Sequence, residues 1–398
     1  MNWILHINLI KRPAYILPLI VIAQFAGTSL WFAGNAIMGD IPALATRAHA
    51  IGNITSAVQI GFIAGTLAFS ILAIADRFSP SRVFFFSALA AAGCNLCTLW
   101  VAYDYGWILL FRFLTGFLLA GIYPIGIKIA ADWYDTGLGK ALGFLIGALV
   151  LGTAFPHLLK GVSFHFSWQD VIIFTSAFAF TGGLIVLCFI PDGPFKRQSS
   201  RFNAAMLKEV FRSADFRAAA FGYFGHMWEL YSLWAFIPVM LSINGSRYGI
   251  KHNISLWAFT VIGIGGISCM VGGYISQKIG SAKVAFYALL CSGICAACSS
   301  FFITLPPVVF LVYILVWGIV VTADSPQFST LTALTAPPAI KGTAVTAVIC
   351  MGFAISIVSI QLLNYIFDRF PYPVVFSMLA IGPLLGIMAF FRLARRSS

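Results

Sequence analysis

The chain has 398 residues, 60% of them hydrophobic and 9% charged, and its mean hydropathy is +0.95. A soluble domain of that length could not hide so much apolar surface, so the solvent for most of it is lipid. The net charge of +12 would suit nucleic acid, but the placement of the basic residues follows a membrane topology and excludes that partner.

Windows of about 20 apolar residues are needed to cross a ~30 Å hydrocarbon core. Twelve are predicted in chain order: 14–37, 55–76, 83–102, 107–131, 141–161, 169–190, 218–243, 254–277, 284–304, 307–330, 343–366 and 373–392. The first is too long for a signal sequence and follows Lys11 and Arg12, so it is expected to remain uncleaved. Glycine (36) and proline (17) fall inside these runs, as membrane helices tolerate. All eight cysteines lie in the runs as well, which excludes disulfides in aqueous loops. The spacing Cys94-x-x-Cys97 there reads as small-residue packing, not as a redox or zinc motif. With both termini cytoplasmic, 18 of the 24 basic residues fall inside and five outside (Arg47, Lys160, Arg247, Lys251, Arg369), with Arg112 in a span. The reading is therefore a multi-pass membrane protein, and its short loops and termini suggest a bacterial inner membrane. The longest hydrophilic segment, 191–217, separates six spans (1–190) from six (218–398) and reads as a cytoplasmic connector.

An internal repeat supports that division. The stretch 76-DRFSPSRV-83 aligns with 277-QKIGSAKV-284, and Gly116 and Pro124 of the fourth span align with Gly318 and Pro326 of the tenth. On these residues the chain resembles the major facilitator superfamily of secondary transporters, over essentially its whole length. Asp76 and Arg77 match the gate motif G-x-x-x-D-[RK]-x-G-[RK]-[RK], with Leu72 and Ser79 replacing its glycines and the later basic residue displaced to Arg82. The second copy keeps Gly273 and Gly280 but has Gln277 in place of the acid, and 112-RFLTG-116 is similar to the family's R-x-x-x-G. The fifth span, "GALVLGTAFPHLL", lacks the G-P-x-x-G-G of many antiporters. Arginines expected of nitrate porters and organophosphate antiporters are also missing. The resemblance implies an all-α fold of 12 transmembrane helices in two pseudo-symmetric six-helix bundles, with spans one, four, seven and ten around a central cavity.

Four ionisable residues are placed well inside the spans: Arg112, His226, Glu229 and Asp324. They fall in spans four, seven and ten. A charge at that depth costs about 3 kcal/mol or more on insertion scales, so each must protonate, pair or face water. Glu229 lies roughly 16 Å into span seven by helix rise, with His226 one turn away on the same face. Glu229 is expected to be the principal proton carrier, Asp324 the second, and His226 a relay or solute contact. The competing reading is that these groups only pair with each other. His226-x-x-Glu229 also has the spacing of a metal pair, but three or four ligands are needed and no further set is present. No metal, cofactor, nucleophile–base constellation or enzyme activity is expected.

Gln24, Trp31, Asn35, Tyr123, Tyr231, Trp234 and Gln327 supply aromatic and amide side chains to the cavity helices. That set suits a small, partly apolar organic solute, or an anion meeting Arg112. At the cytoplasmic gate the resemblance implies Asp76, Arg77 and Arg82 pairing across the bundles. The expectation is a monomeric transporter of a small-molecule substrate with protons, working in a lipid bilayer by alternating access. A drug or transition metal as cargo, or a non-transporting sensor of the same fold, stay open.

Overall fold

The computed structural model describes residues 13–47, 49–134, 138–162, 166–195, 202–337, 340–367, 369–370 and 372–396. The basic cluster Lys196, Arg197 and Arg201 of the connector, and Lys11 and Arg12, lie outside the described residues. The regular structure described is helical throughout. The twelve main helices are α1 (Ile16–Thr28), α2 (Ala50–Ile71), α3 (Pro80–Cys97), α4 (Tyr105–Trp133), α5 (Leu138–Val162), α6 (Trp168–Phe189), α7 (Ala214–Tyr248), α8 (Ile254–Ile279), α9 (Ser281–Phe302), α10 (Pro307–Thr335), α11 (Lys341–Phe367) and α12 (Val374–Arg396). Among the described residues, nine are long and apolar enough to cross a membrane by themselves. The other three are α1, which is broken early; α3, diluted by Arg82 and Asn95; and α7, with His226 and Glu229 in its middle. At 35 residues, α7 is about 50 Å long by helix rise and projects beyond the hydrocarbon.

The packing repeats itself with a period of six helices. α2 packs on α4 as α8 does on α10; α1 on α6 as α7 on α12; α1 on α5 as α7 on α11; and α3 on α6 as α9 on α12. The two halves meet through α5 against α8 and through α2 against α11, which are themselves equivalent under the same shift. Two pseudo-symmetric six-helix bundles are the result.

Three breaks in these helices shape the centre. α4 consists of Tyr105–Leu119 and Tyr123–Trp133, with Pro124 opening the second segment. α10 consists of Pro307–Ala323 and Ser325–Thr335, with Pro326 in the equivalent place. A proline fits the first turn of a helix, where its missing N–H has no partner to lose, but not the interior. The repeat-related prolines therefore fix both breaks. α1 stops at Thr28, short of the expected span end at 37. The Thr28 and Ser29 hydroxyls donate back to the carbonyls of Gln24 and Ala26, a bonding mode that competes with the helix ladder.

At the turn that follows α2, Ala73 has φ +50° and ψ +42°, in the left-handed region. That conformation costs a residue with a Cβ roughly 1–2 kcal/mol. Ala73→Gly is therefore expected to raise stability by about 0.5–1 kcal/mol after the extra freedom of glycine in the unfolded chain is subtracted. Thermal unfolding in detergent reads this directly.

Candidate functional site

Two connected cavities lie between the bundles. The inner one, of about 170 Å³, is bounded by Tyr123 from α4, His226, Tyr231 and Trp234 from α7, and Ser325 and Ser329 from α10, with aliphatic residues of α5 and α11 completing it. The second, of about 490 Å³, shares Tyr123, Ile127, Val345 and Ile349 with it. It runs past Thr66 and Ser70 to the helix ends bearing Asp76, Lys128, Asp132 and Lys341. Together they form a vestibule leading to a chamber.

The opposite end of the chamber is sealed by contacts between the bundles. Trp31 stacks on Tyr231 with ring centroids 5.9 Å apart, and Phe353 packs on Phe62 at 4.8 Å and on Trp31 at 5.5 Å. Beyond this aromatic plug, α11 donates to α2 and to the turn before it. Gln361 Nε2 reaches Ser56 Oγ at 2.8 Å and Asn53 Oδ1 at 3.2 Å, and Asn364 Nδ2 reaches the His49 carbonyl at 3.2 Å. Ser356 Oγ bonds Gln59 Oε1 at 3.1 Å. The chamber is thus closed at one end and reached from the other.

His226 and Asp324 meet beside the chamber. His226 Nδ1 lies 2.8 Å from Asp324 Oδ1, and Nε2 lies 2.9 Å from Ser325 Oγ. Asp324 sits on the break of α10 with no exposed surface, and its 2.8 Å approach to the imidazole lies off hydrogen-bond alignment. Among the described residues neither carboxylate oxygen of Asp324 has an aligned hydrogen-bond donor.

Glu229 is placed differently from the expectation. It does not line either cavity; its carboxylate points into the second bundle, where Oε1 accepts from Trp317 Nε1 at 2.6 Å and Oε2 from Ser292 Oγ at 2.9 Å. The three-residue step from His226 turns the side chain away from the chamber, and the indole of α10 and hydroxyl of α9 hold it there. Glu229→Ala leaves the Trp317 donor without an acceptor and is expected to cost about 3 kcal/mol. Glu229→Gln keeps an acceptor for Trp317 and should stay within about 1 kcal/mol of the parent. Equal unfolding midpoints for the two variants would sink this account.

Arg112 also lies away from both cavities. Its Nη2 donates to the carbonyls of Leu30 (2.9 Å) and Trp31 (2.6 Å), and Nη1 donates to Asn95 Oδ1 at 3.2 Å. The break after α1 frees those two carbonyls, and the buried guanidinium takes them up.

Of the remaining candidates, Tyr123, Tyr231 and Trp234 line the chamber, whereas Trp31 belongs to the seal. Asn35 Nδ2 donates to Thr55 Oγ1 at 2.7 Å within the first bundle. Gln24 is fully buried against Gly126, where a Cβ would overlap its carboxamide oxygen. Gln327 is buried on the α10 face near Gly272 of α8. At the vestibule rim, Asp76 pairs with Lys128 at 3.2 Å, and Lys128 approaches Asp132 at 3.8 Å. Arg77 and Arg82 are exposed.

A family model of the Major Facilitator Superfamily matches residues 16–360. The chain belongs to the major facilitator superfamily. Among solved structures, the proton:xylose symporter XylE bound to 6-bromo-6-deoxy-D-glucose superposes with a TM-score of 0.72 at 12% identity, over 96% of this chain and 97% of that one. A bacterial homologue of the human lysosomal transporter Spinster, in an inward-facing and unoccupied conformation, gives 0.66 at 14% identity over 97% and 98%. At such identities the likeness is one of fold. Solute carrier family 22 member 1 of Bos taurus is 25% identical over 179 residues, 44% of this chain and 30% of that protein. The match therefore spans less than a third of that relative's length.

Within this superfamily chain, three ionisable groups outside the sequence candidates are buried or nearly so: His157, Asp132 and Lys128. His157 of α5 is 2% exposed, beside Phe32. Lys128 of α4 is the partner of Asp76. The "FPHLL" and "GIKIAAD" stretches carried the signal: the first sets one polar residue inside an apolar run and the second two, Lys128 and Asp132.

Proposed function

We propose that the chain is a secondary transporter that moves a small organic solute together with protons by alternating access. The observation that carries this reading is the His226–Asp324 pair on the broken α10, with His226 on the wall of a chamber that is sealed at one end and reached from the other. On this reading the His226–Asp324 pair carries the proton, and His226 is its contact with the chamber. Glu229, ranked first from the sequence, is a second proton site that opens only when the second bundle loosens.

The vestibule end carries the gate motif and most basic residues, so it is assigned to the cytoplasm, with both termini on that side of an inner membrane. The captured state is then inward-facing. Two domains, 1–190 and 218–398, rock about the chamber as a monomer, joined by the connector 191–217. Asp76 and Lys128 belong to the closing contacts of the cytoplasmic gate, with Arg77 and Arg82 beside them. The chamber holds few formal charges and many ring faces and hydroxyls, which suits a partly apolar organic solute better than a metal ion.

The test is a thermal-shift screen of metabolites on purified protein, followed by flux of the hits into proteoliposomes with an imposed pH gradient. Accumulation that follows the gradient and collapses with a protonophore is the expected result. Uptake indifferent to pH for every hit would refute proton coupling.

A further inference from the structure

Both ring nitrogens of His226 have a neighbour within 3 Å at the break of α10, and only one of these neighbours faces the chamber. Nδ1 meets Asp324 at 2.8 Å and Nε2 meets Ser325 Oγ at 2.9 Å. His226 and Ser325 line the chamber, while Asp324 does not. A solute therefore senses the buried carboxylate only through the imidazole and the serine hydroxyl.

That chain of contacts converts protonation into a change of hydrogen-bond polarity. With Asp324 ionised and His226 neutral, the ring proton sits on Nδ1 toward the carboxylate. Nε2 is then a bare acceptor, and the Ser325 hydroxyl donates to it. Added to the pair, one proton makes the ring an imidazolium whose two N–H groups both donate. Ser325 then accepts from Nε2, and its own O–H turns to the chamber. The wall has become a donor.

We propose that Ser325 is the specificity-determining residue for the coupled solute, and that this solute is a small monocarboxylate with an apolar body. This deepens the transport reading above and rests on it. The solute's carboxylate takes the Ser325 O–H only while the pair is protonated, so proton and anion load as a neutral couple. The charge of the wall agrees. Among the described residues, no Asp, Glu, Lys or Arg lines the inner chamber, so an amine entering it meets no bare carboxylate.

The titratable neighbours of His226 are Asp324 on α10, Tyr223 on its own helix and Tyr123 across the chamber on α4. Cys269 of α8 donates to the Thr322 carbonyl, and Glu229 is held by Trp317 of α10 and Ser292 of α9. α11 faces the chamber there with Val345, Val348 and Ile349, and α12 meets α7 through Gly382 and Gly386 against Gly225. Lys128 and Lys341 line the vestibule.

The experiment uses three probes that share one body: 3-phenylpropanoate, 3-phenylpropanamide and 3-phenylpropylamine. Their binding to the purified full chain is followed by tryptophan fluorescence and thermal shift at pH 5.5 and 7.5. The acid is expected to bind best, at least tenfold tighter at pH 5.5, where it is still ionised. Ser325→Ala should remove that pH dependence and Ser325→Thr should restore it. The assignment is overturned if the amine binds better than the acid, if no acid binding is seen, or if Ser325→Ala keeps the pH-dependent preference. Should Ser325→Ala fail to fold, the ranking and pH dependence in the parent protein decide alone. A pH-driven flux of some other solute, with the acid inert, overturns the cargo and leaves the transport reading standing.

Discussion

Asp324→Asn is expected to give a more stable protein that no longer accumulates solute against a pH gradient. The carboxyl has no exposed surface, and the His226 ring approaches it at 2.8 Å. An ionised carboxylate buried with so little support loses several kcal/mol of hydration, and one imperfect counter-charge restores only part of it. Asparagine keeps the shape and removes the charge. The histidine left behind can become neutral, so no buried charge is stranded, and a gain of about 1–3 kcal/mol is expected. Asparagine also removes the negative charge that lets the His226 ring hold a second proton. Accumulation driven by the pH gradient should then fall to simple equilibration, while solute exchange at equal pH on both sides persists. Unfolding midpoints, gradient-driven uptake and exchange in proteoliposomes check the three parts. A variant that is less stable and accumulates normally would refute the assignment. One that is more stable but still coupled would move the proton site to Glu229.

How much of this was legible in the sequence differs from residue to residue, for physical reasons. The helix count and the two-bundle fold follow from hydropathy and from a repeat that aligns Pro124 with Pro326, and both prolines do open broken helices. The proximity of His226 and Asp324 was not written in any spacing, since 98 positions separate them and only the α7–α10 packing joins them. The direction of Glu229 depends on a rotation of α7 of a few tens of degrees. Hydrophobic periodicity cannot supply that in a helix apolar on nearly all sides. Arg112 illustrates a third limit. Its partners are backbone carbonyls, which become available only because α1 ends at Thr28, and a run of apolar residues continuing to 37 hides that break.

Gly116→Val is expected to prevent assembly of the first bundle, whereas Gly273→Ala should be harmless. Where α2 crosses α4, a Cβ on Gly116 would overlap the Val58 carbonyl. Cβ atoms on Gly61 and Gly65 would likewise overlap the carbonyls of Phe113 and Phe117. Close approach through small residues is what holds helices together where lipid removes the hydrophobic drive between them. The obstacle for valine is backbone on both sides, so no side chain can swing away, and overpacking of this kind costs roughly 3 kcal/mol or more. Against a net stability of only about 5–15 kcal/mol, that is enough to lose monodisperse protein. Gly273, the glycine of the second gate-motif copy, has nothing within 4 Å of an added Cβ. There alanine gains up to about 1 kcal/mol of helix propensity. Size-exclusion profiles and thermal unfolding of the two variants, made side by side, give the answer; equal tolerance at both positions would refute the packing account. The same contact bears on function. α2 carries both the Gln59 end of the seal and the Thr66–Ser70 wall of the vestibule, and its tight seam with α4 ties both to Lys128. A loosened seam would let seal and gate move separately, and alternating access requires that they move as one.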